Sequence, residues 1–91
     1  MSISYQIGNV EADRRSIDKA AARFEHLIND LRRTEAALME NIGAEEHHTR
    51  RHDPSDPHYS MLARSMRSRL DNLRATIAKL EAERQGLAIA A

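Results

Sequence analysis

Four histidines, His47, His48, His52 and His58, fall within twelve residues, with Glu45, Glu46, Asp53 and Asp56 interspersed. Imidazoles and carboxylates are the donors that hold zinc or nickel. His48 and His52 are four residues apart and face the same way if that stretch is helical. They are therefore the candidate metal pair, although no His-Glu-x-x-His arrangement supports them. Histidine titrates near ~6.5, so the same segment could respond to pH. The alternative is a solvated polar turn that binds nothing, and the sequence predicts no cofactor.

Other chemistry is sparse. There is no cysteine, so there is no disulfide framework, thiolate nucleophile or thiolate metal site. The three glycines, Gly8, Gly43 and Gly86, are isolated, so no phosphate-cradling loop is present. No serine has a base and an orienting acid at readable spacing. Two helices leave no deep pocket, and the expected protein is not an enzyme. Arg64, Arg67, Arg69 and Arg74, against Asp71 alone, form a basic stripe that could meet phosphate or an acidic partner. No aromatic residue interleaves with it, and a solvated helix face is the plainer reading.

The elements that must carry these residues follow from apolar spacing. Val10, Ile17, Phe24, Leu31 and Leu38 recur every seven residues, with Ala20, Ala21, Leu27, Ile28 and Ile42 in the intervening steps. Tyr59, Met66, Leu73, Leu80 and Leu87 repeat the pattern, with Leu62, Leu70 and Ile77 beside them. This is the period of a helix with one apolar face. The spacing predicts a short arm over 1–9, a helix over 10–43, a tip loop over 44–57, a helix over 58–86 and a frayed tail over 87–91. Asn9 is the expected N-cap of the first helix and Gly43 its stop. Pro54 and Pro57 exclude a helix at the tip, and Asp56 is the expected cap of the second helix, with Pro57 in its first turn. Residues 45–52 are readable either as one more helical turn or as loop. Each helix is then about 40–50 Å long.

The predicted fold class is all-α, an antiparallel two-helix hairpin of coiled-coil type. One Phe and no Trp in 91 residues make a thin core, and the apolar face is wider than one partner helix covers. A second chain is expected to complete it as a four-helix bundle, either a further copy or a similar helical protein. The expected interface is Ile17, Phe24, Ile28, Leu31, Leu38, Met66, Leu70, Leu73, Ile77 and Leu80, with Phe24 the largest contributor. Fourteen basic and fourteen acidic residues give zero net charge, which argues against a general nucleic-acid binder. The apolar runs are too short to span a membrane, and residues 1–10 lack a signal-peptide pattern. A cytoplasmic protein is expected, or one exported without a cleaved signal.

The chain resembles the Trp-X-Gly superfamily of type VII secretion substrates. The resemblance is carried by the lead-in Ser4–Ala12, the spacing of Ile17, Phe24, Leu27, Ile28, Leu31 and Leu38, and Asn41-Ile42-Gly43-Ala44 at the place of the family's turn. Tyr59, Met66, Leu73, Ile77 and Leu80 match its second helix. It implies a dimeric four-helix bundle and a secretion role. The Trp itself and the C-terminal Tyr-x-x-x-acid export signal are absent, and the tip is about ten residues longer. Pro54-Ser55-Asp56-Pro57 is similar to the turn of type III needle subunits, which implies a needle-like subunit or chaperone. An acidic hairpin tip is also similar to that of transcript-cleavage factors, whose globular domain this chain lacks.

Overall fold

The computed structural model describes the backbone of residues 2–90 and the side chains of residues 13–87 and 89. It contains two helices, α1 over Ser2–Thr49 and α2 over Met61–Ala90. They pack against each other as an all-α hairpin, drawn out to 73 × 18 × 14 Å.

The seam follows a strict alternation of four- and three-residue steps. On α1 it includes Phe24, Ile28, Leu31, Glu35, Leu38, Ile42 and Glu45, all buried or half-buried. On the return it runs through Tyr59, Ala63, Met66, Leu70, Leu73, Ile77 and Leu80. This is the knobs-into-holes repeat of a coiled coil. Ile42, Met66 and Leu70 form a buried cluster, with Leu38 packed against it. Nine of the ten predicted interface residues lie in this seam within one chain; Ile17 lies on α1 beyond it. Leu62 stands one residue off the repeat and is 57% exposed, and Ala63 takes the inward place predicted for it. Phe24 is half-buried, whereas Ile28 and Tyr59 are almost fully enclosed.

α1 exceeds its expected bounds at both ends, whereas α2 begins at Met61 rather than at residue 58 and exceeds its expected end. The predicted arm over 1–9 is helical from Ser2, and Asn9 is an interior residue rather than a cap. Gly43 does not stop α1, because Ile42, Glu45 and Glu46 just around it all lie on the seam side and favour continuation. An interior glycine costs about 1 kcal/mol relative to alanine, which that packing exceeds. Gly86 is passed in the same way, and α2 continues through the tail expected to fray.

α1 ends instead at Arg50, whose φ of 57° is left-handed. The Arg50 N–H donates to the His47 carbonyl at 3.3 Å, and the Arg51 N–H to the Glu46 carbonyl at 3.2 Å. That pair of bonds is a Schellman closure, usually built on glycine. The chain then makes two successive turns. Asp56 N–H donates to the Asp53 carbonyl and Tyr59 N–H to the Asp56 carbonyl, both at 3.0 Å. Pro54 and Pro57 occupy the second position of each turn, where their fixed φ fits. Asp53 and Asp56 brace the turns by accepting from the N–H groups of Ser55 and His58 at 3.0 and 2.8 Å. Asp56 therefore does not cap α2. Ser60 does, its Oγ accepting from the Ala63 N–H at 3.2 Å while it donates to Glu45 at 2.9 Å.

A left-handed arginine costs about 1–2 kcal/mol relative to a helical one, and glycine avoids most of that cost. Arg50→Gly is therefore expected to stabilise the hairpin by about 1 kcal/mol in urea melts. An unchanged or lowered midpoint would contradict the closure described.

Candidate functional site

The polar chemistry of the hairpin is concentrated where the connection re-enters the seam. Tyr59 is 3% exposed, and its hydroxyl donates to Glu46 Oε2 at 2.8 Å. Arg67, one turn into α2, closes the group. Its Nε donates to the Tyr59 oxygen at 2.8 Å and its Nη2 to Glu46 Oε2 at 2.9 Å. The Arg64 guanidinium lies 5.5 Å from the Tyr59 ring centroid, a cation–π distance. Three chain segments thus meet on one carboxylate.

These contacts set its electrostatics. The hydrogen bonds from Arg67 and then Tyr59 hold the Glu46 carboxyl below its ordinary 4.5, against the opposing effect of burial. No buried side-chain polar atom among the described residues lacks a partner. The buried polar atoms of the group are therefore all satisfied, and it joins the two helices as a structural clasp. Neither the sequence motifs nor the spacing pointed to it. The available signal was a tyrosine on the apolar stripe, since a buried Tyr needs a partner for its hydroxyl.

The basic stripe is largely consumed by α1. Arg67 is held by Glu46, Arg74 donates to Glu35 at 3.0 Å, and Arg64 rests against Tyr59, leaving Arg69 exposed. Arg32 reaches across to Glu81 in the same manner. These ion pairs run in opposite chain order on the two helices, Glu46, Glu35 and Arg32 against Arg67, Arg74 and Glu81, as an antiparallel hairpin requires.

The histidine tip is not drawn together. α1 ends at Thr49, so His48 and His52 do not share a helical face, and His47, His48, His52 and His58 are all exposed. No group of three possible metal ligands forms among the described residues. Asn41–Ala44 lies inside α1 rather than at a turn, unlike the place of the Trp-X-Gly element. Pro54 and Pro57 do lie in the turn. No described helix is long and apolar enough to cross a membrane.

The second feature lies at the other end of the rod. With 48 residues in α1 against 30 in α2, the first part of α1 runs on past the last described residue of α2. The seam's spacing continues along it through Ala21 and Ile17. At its base Ala20, Arg23, Phe24 and Leu27 enclose an open hollow of about 250 Å³. Residues at steps of three, four and seven are the four that surround a knob in helix–helix packing. Leu27 remains 45% exposed there. Comparison with protein-family models, curated proteins and solved structures finds no match to the chain.

The Glu46 carboxyl is lowered on folding, so its contribution is complete at neutral pH and is lost as pH falls below 4.5. Glu46→Gln is expected to cost about 1–3 kcal/mol at pH 7 and to narrow its difference from wild type by pH 3. Urea melts at both pH values check this. Parallel losses in the two proteins would contradict it.

Proposed function

We propose that this chain is a non-enzymatic binding module. It is a rigid hairpin that offers the projecting arm of α1 to a helical partner. The observation that carries the reading is the arm itself, where the repeat that α2 covers elsewhere continues with no described helix against it. Most helical stability in proteins comes from packing of the apolar face, which α2 does not supply to this stretch. A partner helix laid along Ile17, Ala20 and Ala21 would supply that packing, and its side chains would fill the hollow beside Leu27.

The remaining features support binding over catalysis. The buried polar residues are mutually satisfied, and the exposed histidines are dispersed. The partner is then recognised by burial of apolar surface, with Asp13, Asp18 and Glu25 beside the stripe available for charge selection.

A photo-crosslinking residue at Ala20 is expected to trap a protein adduct in cells, whether a second copy or another chain. The same residue at His52 or Arg69 should not. Adducts confined to the tip or to Arg69 would overturn the reading.

A further inference from the structure

We infer that the outer face of α2 packs antiparallel on the same face of a second copy, with Ala75 at the two-fold axis. This surface is separate from the arm, and the contact does not depend on the arm's having a partner. Ala75 stands two residues from the buried Ile77, about 200° round the helix, so the face is turned away from α1. Met61 and Ile89 are 82% and 80% exposed, the most exposed of the large apolar side chains described. They lie fourteen residues before and fourteen after Ala75, about four helical turns each way, and so share its face. An antiparallel two-fold about Ala75 sets Met61 of each chain against Ile89 of the other, and one contact covers both.

The charges fix direction. Asp71 and Lys79 lie four residues either side of Ala75. Both are exposed, and among the described residues neither makes an ion pair, whereas Arg67, Arg74 and Glu81 of the same helix are all paired with α1. The same two-fold places each Asp71 level with Lys79 of the copy and forms two ion pairs. A parallel copy would stack Asp71 on Asp71 and Lys79 on Lys79, and like charges set together at an interface select against that arrangement.

The space between these points agrees. Arg64 lies eleven residues before Ala75 and Gly86 eleven after, so each Arg64 arrives over Gly86 of the copy, where the missing side chain leaves it room. A Cβ added at Gly86 meets nothing within 4 Å, so packing inside the hairpin does not call for glycine there, and an interior glycine weakens a helix. Ser68, Ala78 and Ala82 are exposed and short enough for two backbones to close over them. Arg69 lies six residues from Ala75, about 120° off the face, and stays outside the contact.

The chain has no cysteine, so introduced thiols report unambiguously. One preparation of the full chain carries Met61→Cys and another Ile89→Cys, and the two are mixed with a short bis-maleimide. The expected product is the mixed 61–89 pair, with little 61–61 or 89–89. Sedimentation equilibrium of the wild-type chain should give a dimer. Ala75→Glu, Asp71→Lys and Lys79→Asp should each weaken it by about tenfold or more, and Asp71→Lys combined with Lys79→Asp should restore it. Arg69→Glu should leave it unchanged, and circular dichroism should show the hairpin retained in every variant. Self-linked 61–61 and 89–89 products would overturn the antiparallel arrangement. A combined exchange no better than either single change would overturn the register about Ala75. A chain that stays monomeric, or a dimer broken by Ile17→Asp but indifferent to Ala75→Glu, would overturn this contact and leave the reading of the arm standing.

Discussion

A protein of two helices has a single seam, and every other property depends on how the register of that seam is fixed. Here it is fixed at the neck, where Glu46, Tyr59 and Arg67 share one carboxylate. Apolar contacts alone would tolerate a slip of one heptad, because each repeat offers a similar set of knobs and holes. A buried carboxylate does not tolerate it. Slipping by seven residues would strip Glu46 of both partners and leave a desolvated charge. The outer pairs, Arg74 with Glu35 and Arg32 with Glu81, follow from that one alignment and are exposed enough to add little individually.

The connection serves the same end. Its two proline turns carry the chain from Arg50 to Ser60 with the backbone bonded at each step, so Tyr59 enters the seam above Glu46. The left-handed Arg50 is strain accepted at that corner. The charged tip that first suggested chemistry is thus explained as turn construction. Asp53 accepts from the hydroxyl and then the N–H of Ser55, and Asp56 from the N–H of His58, and these contacts hold both carboxyls below the ordinary aspartate range.

The two apolar stripes and the prolines between them were enough to read the hairpin from residues alone, because helical period and proline's missing donor are local properties. The helix ends were not legible. Gly43 and Asn9 carry the residue types of a stop and a cap, but α1 runs through both; at Gly43 seam packing overrides the signal, and packing is not local. The true closure uses Arg50, a residue with no stop signature. The clasp escaped notice because its members are thirteen and twenty-one residues from Glu46, and only the register brings them together.

The clasp and the seam are parts of one hairpin: the shared carboxylate sets the register, and the apolar repeat between Ile28 and Ile42 is closed against α2 in that register. The central claim is that Glu46, Tyr59 and Arg67 act as one unit. A double-mutant cycle of Glu46→Gln and Tyr59→Phe, read by urea melts at pH 7, tests this most directly. A shared carboxylate predicts a coupling of about 1 kcal/mol or more between the two changes. Losses that simply add would contradict it.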